Sequence, residues 1–313
     1  MRKPTRRNFL EWTAAATGAM ALSPLGAGRA AEQEPAKSDI CIARWKGEPD
    51  AYNDAEIASK LTEQSIAALG GMQRFVSRGD VVWIKPNIAW NRTPEQAANT
   101  NPDVVATLVR LCLDAGAKTV KVGDNTCADA KQAYPASGIE AAATKAGARV
   151  VYLDSNRFRR TAINGEVLKE WELYPEIIES DLVINVPVVK HHNLCTATLC
   201  MKNYMGVIGG RRGQWHQDFA GYLCDMTAFM KPRLCVLDAV RILTANGPTG
   251  GNVADVERLN TVAAGTDIVA LDAIGAELLG HQPQSLAFVR KGEERGLGQI
   301  DYRKLAFREV DVA

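Results

Sequence analysis

The densest run of reactive side chains is Lys190-His191-His192-Asn193-Leu194-Cys195, continuing through Cys200 to Lys202-Asn203. Two of the chain's four histidines are adjacent here, and two of its seven cysteines stand five residues apart. Imidazole nitrogen and thiolate sulfur are the ligands that borderline and soft transition metals prefer. The segment therefore predicts a metal site at His191, His192 and Cys195, with Cys200 as an optional fourth ligand. The spacing matches neither a zinc knuckle nor a CxxC pair. The alternative is a loop–helix boundary, with the cysteines packed inward and the histidines hydrogen-bonded locally.

A second pattern is lysine at the end of apolar runs. Lys85 follows Val81-Val82-Trp83-Ile84, and Lys190 closes the stretch that begins at Asp181-Leu182-Val183. Asp124 ends a third run, and Asp238 lies between Leu237 and Ala239. If these runs are parallel strands, their carboxyl ends share one edge, where open α/β sheets bind ligands. Lys85, Asp124, Lys190 and Asp238 are thus the candidate catalytic groups. For Asp238 the plainer alternative is a strand-end hydrogen bond. Asn87, Lys202, Asn203, Gly206 and Asn246 are candidate ligand-binding residues around them. Converging ammonium groups suit a small anion, carboxylate or phosphate. As a strand-end residue, Lys190 is expected to contribute mainly solvated charge. Gly206 to Gly213, with Arg211-Arg212, reads as a flexible lid, and Asn246-Gly247-Pro248 as a tight turn first and a binding loop second.

The elements that must position these groups follow from periodicity and caps. Strands are expected at 40–45, 81–84, 119–124, 149–154, 181–187, 233–243 and 260–264, by their continuous apolar character. Helices alternate with them. One runs from about Asn53 to Leu69, and one from Asn101, as N-cap with Pro102 at the first helical position, to Ala115. Others cover about 137–146, 174–179, 218–229 and 267–279, and a hairpin turns at Asn164-Gly165. Strand–helix alternation predicts one α/β domain over residues 40–313, an open, mostly parallel sheet with helices on both faces.

Residues 1–31 form a twin-arginine signal: Thr5-Arg6-Arg7-Asn8-Phe9-Leu10, an apolar stretch from Trp12 to Leu25, and small residues for cleavage after Ala30 or Ala31. The apolar stretch is too short and too weakly apolar for a stable membrane span. The expected partner is the Tat export machinery and the expected workplace periplasmic or otherwise extracytoplasmic. The net charge of +1 hides an asymmetry: residues 1–30 hold five cations against Glu11, leaving the remainder acidic. No basic tail or aromatic-interleaved basic stripe suggests a nucleic-acid partner. The cysteine number is odd and the spacings are unlike a disulfide framework. Cys41, Cys112 and Cys235 lie in apolar runs and read as core.

Lys85-Pro86-Asn87, Asn101-Pro102 leading to Gly116-Ala117-Lys118, and Gly123-Asp124 resemble the first half of the domain-of-unknown-function family 362. Asp181 to Lys190, Thr198 to Gly206, Asp238 with Asn246-Gly247-Pro248, and Gly265-Thr266-Asp267 to Asp272 resemble the rest. The resemblance covers nearly the whole chain after the signal. It implies a family without an established activity. Many of its members are Tat-exported or carry a ferredoxin module, and are labelled iron–sulfur proteins for that reason. This chain lacks that module's cysteine run, which counts against an iron–sulfur cluster. More remotely, the helix-after-strand layout resembles nickel-dependent lactate-racemase-type proteins. The combined expectation is an exported protein that binds a small anionic ligand together with a transition metal of unknown identity and performs redox or acid–base chemistry. The alternative is a non-catalytic metal-carrying or accessory module with a redox partner in the periplasm.

Overall fold

The computed structural model describes residues 38–48 and 53–313. The expected twin-arginine signal, residues 1–31, lies outside the described residues. The chain enters through β1 (Ile40–Trp45) and α1 (Asp54–Ala68), whose start is fixed by a capping box between Asn53 and Glu56. β2 (Val81–Pro86), α2 (Pro102–Asp114) and β3 (Thr119–Val122) come next. A short helix not expected from the sequence, α3 (Ala130–Ala136), precedes α4 (Ile139–Lys145), which is the expected helix over 137–146. Pro135 lies in the last turn of the first, and Gly138, at φ +72°, breaks the backbone between them. β4 (Arg149–Val150) is shorter than expected. β5 (Arg159–Ala162) and β6 (Glu170–Leu173) make a separate antiparallel hairpin. After α5 (Pro175–Ile178) come β7 (Leu182–Val186), β8 (Val188–His192), β9 (Thr196–Thr198), the single turn α6 (Cys200–Asn203) and α7 (Phe219–Met230). The chain ends with β10 (Leu234–Leu243), β11 (Val256–Gly265), α8 (Ile268–Leu278), α9 (Ala287–Glu294) and β12 (Phe307–Val312).

The main sheet runs β12-β1-β11-β10-β7-β2-β3-β4, with β8 and β9 attached beside β10. From β10 to β4 all neighbours on this path are parallel, and β11 is antiparallel to both of its neighbours. The expected open, mostly parallel α/β sheet is therefore the fold. β11 begins four residues before the expected strand and is the one antiparallel strand of this path, interior to the sheet between β1 and β10.

Both faces are covered, and the period-two alternation of each strand shows how. Val82 and Ile84 join one apolar cluster with Ile57, Leu61, Val104 and Leu108 of α1 and α2. Trp83, between them, joins the opposite cluster with Leu223 of α7, Phe288 of α9 and the apolar side of α8. Lys85 is next in Trp83's row. It is buried completely, on the same face as α6.

Pro187 ends the expected strand 181–187 and separates β7 from β8. It has no N–H to give to a ladder, but its carbonyl accepts from Asp238 N at 2.9 Å. The chain then resumes as β8, with Val188 opposite Asp238 and Lys190 opposite Leu243. Lys190 thus sits in the middle of a second strand rather than at the end of the first. Among the described residues no helix is long and apolar enough to cross a membrane.

Candidate functional site: a cationic cavity at the strand ends

A cavity of about 410 Å³ opens where β2, β3 and β8 end or bend, closed on one side by α6 and the 205–216 segment. Its lining includes Lys85, Asn87, Asp124, Lys190, Lys202, Asn203 and Gly206, all seven of them candidates by sequence. It also includes Arg212, His192 and His216. Among the described residues Asp124 is its only carboxylate.

The floor is a closed polar network. Lys85 Nζ lies 2.7 Å from Asp124 Oδ1 and donates to Pro86 O at 2.8 Å and Asn203 Oδ1 at 2.9 Å. Asp124 Oδ2 accepts from Ile88 N at 2.7 Å. Asn203 Oδ1 also accepts from Asn87 Nδ2 at 3.0 Å, and its Nδ2 donates to Lys85 O and Asn185 Oδ1. Asn185 pairs in register with Lys85 across β7 and β2, so it projects onto the same face. Burial lowers the Lys85 pKa, and the Asp124 carboxylate opposes that pull. A 2.7 Å contact inside a network that satisfies the remaining donors holds the two as an ion pair.

Gly206 is required for this arrangement. A Cβ there would lie 1.7 Å from Asp124 Oδ1 and 2.5 Å from Lys85 Nζ. Its carbonyl accepts from Asn125 N, and Ile208 O accepts from Asn125 Nδ2 at 2.7 Å. Arg212 donates to Asn125 O and Thr126 O, both at 2.7 Å. The glycine-rich segment expected as a lid is therefore a wall tied to the loop after β3.

Lys190 is held differently. Its Nζ donates to Ala98 O at 2.5 Å, Asn87 Oδ1 at 3.0 Å and Pro248 O at 3.3 Å. Burial and the neighbouring Lys202 ammonium pull its pKa down to about 7. Three uncharged oxygens matched to three ammonium protons work against that pull. The expectation of a solvated lysine is overturned, because Lys190 is 1% exposed.

Lys202 is half-buried. Among the described residues its ammonium makes no hydrogen bond or ion pair, and it stands 6.0 Å from the centre of the Phe219 ring. Burial lowers its pKa, while the thiols Cys195 and Cys127 act the other way. Two further polar atoms of the lining residues are buried without a partner, Thr198 Oγ1 and Trp90 Nε1.

The four candidate metal ligands are not brought together. His191 and His192 are neighbours on β8, and consecutive strand residues face opposite sides. His191 Nδ1 accepts from Gly247 N at 3.1 Å, outside the cavity. His192 lines the cavity, with Nδ1 accepting from Leu194 N at 3.2 Å. Cys195 donates weakly to Ala197 O at 3.6 Å, and burial pushes its thiol up to about 11. Cys200 is fully buried against Cys235 and Asp272, and burial raises its pKa well above a thiol's ordinary value. Among the described residues no three His, Cys, Asp or Glu side chains form a group that could hold a metal ion.

Asp238 and Asn246 stand apart from the cavity lining. Asp238 accepts from Asn101 N at 2.7 Å and Val240 N at 3.0 Å, tying the start of α2 to β10. Burial raises its pKa to about 6. The plainer strand-end role is the one its contacts describe. Asn246 is exposed and donates to Asp255 Oδ2, although Pro248, two residues on, reaches the lining. Residues that sequence reasoning missed are Asn185, Trp90 and Thr198. Each lies in an apolar or unremarkable context and is recognisable only from register or from the shape of the cavity.

Fold and cavity together define an open α/β protein with a cation-lined cavity at its parallel strand ends. The chain belongs to the family described as Domain of unknown function (DUF362), whose model matches residues 82–277. That span contains all four cations of the cavity. The chain is also 28% identical over 237 residues to the thylakoid-associated protein sll1697 of Synechocystis sp., covering 73% of this chain and 72% of that protein.

Proposed function

We propose that this protein binds a small anionic ligand, a carboxylate or a phosphate, in the cavity at the strand ends. The observation that carries the reading is charge. Lys85, Lys190, Lys202 and Arg212 line the cavity against one carboxylate, Asp124, which is already engaged by Lys85. Lys190 and Arg212 also direct hydrogen bonds to protein oxygens, which leaves Lys202 as the lining cation without an acceptor among the described residues. A cationic lining in a partly desolvated cavity favours an anion and disfavours a metal cation. An acid–base reaction would use Lys190, whose pKa burial and the Lys202 ammonium pull down to about 7 and whose ammonium has no carboxylate partner among the described residues. A non-catalytic accessory module is the second reading, supported by how fully the floor is satisfied by its own contacts.

The test is calorimetry with inorganic phosphate on the native protein and on Lys202→Met. The variant keeps the apolar stem and should lose at least about tenfold in affinity, about 1.4 kcal/mol, with the fold intact. Equal affinity in the folded variant would sink this reading.

The Arg6-Arg7 pair supports an extracytoplasmic workplace reached by the Tat route. Replacing both by Lys should leave folded protein in the cytoplasm. Normal export of that double variant counts against the route.

A further inference from the structure

We propose that the ligand carries an uncharged oxygen beside its anionic group, and that His192 Nε2–H and Thr198 Oγ1–H are the donors that read it. This rests on the anion reading above and names the chemistry of the ligand within it.

The β8–β9 hairpin places the two donors together. Lys190 pairs with Thr198 and His192 with Thr196, so Lys190, His192 and Thr198 project from one side of the hairpin. All three line the cavity. The Leu194 amide donates to His192 Nδ1 at 3.2 Å, so that nitrogen is the acceptor of the ring and the proton of a neutral imidazole resides on Nε2. Nε2 has no partner among the described residues, and it is not among the buried atoms lacking one, so it reaches open space. His192 is only 6% exposed, which makes that space the cavity rather than bulk solvent. Burial and the Lys202, Lys190 and His216 charges keep the ring neutral, pulling its pKa down to about 3. It therefore adds a directed donor without adding charge.

Thr198 Oγ1 supplies the second observation. Thr198 lines the cavity but is 2% exposed, and its hydroxyl is closed off from open space, with no hydrogen-bond partner among the described residues; a turn about χ1 would present it to a ligand. A buried hydroxyl left unpaired is costly unless a ligand or a water completes it. Two neutral donors in one cavity with an ammonium that has no acceptor among the described residues match a ligand whose charge goes to Lys202 and whose hydroxyl or carbonyl oxygen goes to them. A site of this kind discriminates strongly against an analogue that lacks the oxygen, because the donors are then stranded.

The experiment uses two phosphate monoesters of similar charge and chain length, glycerol 3-phosphate and propyl phosphate, with the full chain. The native protein should prefer the glycerol ester by at least about tenfold. In His192→Phe and in Thr198→Val that ratio should fall towards one. Nitrogen NMR of labelled histidine in the native protein should show His192 as the Nε2–H tautomer. Equal affinity for the two esters, an unchanged ratio in both variants, or an Nδ1–H tautomer overturns the inference while leaving anion binding standing. If neither ester nor inorganic phosphate binds, the anion reading falls and this inference falls with it.

Discussion

Lys85 has a carboxylate 2.7 Å from its ammonium, whereas Lys190 has only uncharged oxygens, between 2.5 and 3.3 Å away. Both side chains are buried, line the same cavity and touch the Asn87–Asn203 amide network. The Lys85 charge is neutralised locally and fixed by Gly206 packed against the pair. The Lys190 charge is solvated by the protein but not neutralised. One lysine therefore serves as architecture. The other is a charge whose removal or neutralisation the surroundings tolerate better, which is the property acid–base chemistry requires.

The sharpest way to break the comparison is to remove Asp124. Asp124→Ala leaves Lys85 buried without its counter-charge and leaves the Ile88 amide without its acceptor. Breaking a buried pair from one side costs about 3–5 kcal/mol. Urea unfolding should show a loss of that order. If the loss is under about 1 kcal/mol, the pair is not what holds the floor together.

Lys190→Met should cost less. It strands three acceptors, Asn87 Oδ1, Ala98 O and Pro248 O, but it also removes an uncompensated buried charge. Unpaired buried polar groups cost about 1–3 kcal/mol, and the relief of desolvation offsets part of that. The expected loss in the same urea experiment is about 1–2 kcal/mol. A loss equal to that of Asp124→Ala would show that both lysines are architectural.

Much of this was legible in the sequence, for reasons that can be traced. Lys85 and Asp124 are legible because each ends an apolar run and strand ends converge in a parallel sheet, and Asn203 because it follows a lysine and adds an amide. Asp238 satisfied the same criterion and is not in the cavity. The break at Pro187 starts a second strand opposite it, and its carboxylate is taken up by the Asn101 and Val240 amides. His191 and Cys200 stand close to His192 along the chain, but strand alternation and the burial of α6 separate them from it. Asn185 was invisible because only its register opposite Lys85 gives it meaning. The parallel half of the sheet was readable from continuous apolar runs. The first half of β11 and most of β12 are exposed or half-buried, so no such run marks them. α9 carries Arg290, Lys291, Glu293 and Glu294 and shows too short an apolar stripe to announce itself.

The smallest effect is the one that separates the two lysines by proton linkage. Lys190 is pulled from the ordinary 10.5 to about 7 by burial and by Lys202. Below about pH 7 folded and unfolded chains both hold this proton, and the group contributes no slope. Between 7 and 10.5 the unfolded chain holds a proton that the folded chain has released, so stability rises with pH. The stabilising difference is complete above 10.5 and is lost as pH falls through about 7. One pKa unit corresponds to about 1.4 kcal/mol, so the first pH unit above the midpoint should yield on the order of 1 kcal/mol. The quantity to measure is the unfolding free energy of the native protein minus that of Lys190→Met, which cancels Lys85 and the surface groups to first order. That difference should grow in favour of the native protein between about pH 7 and 8. A flat difference would mean that the three oxygens around Nζ hold the proton firmly. Lys190 would then be a fixed cation like Lys85, and general-base chemistry at this site would lose its candidate.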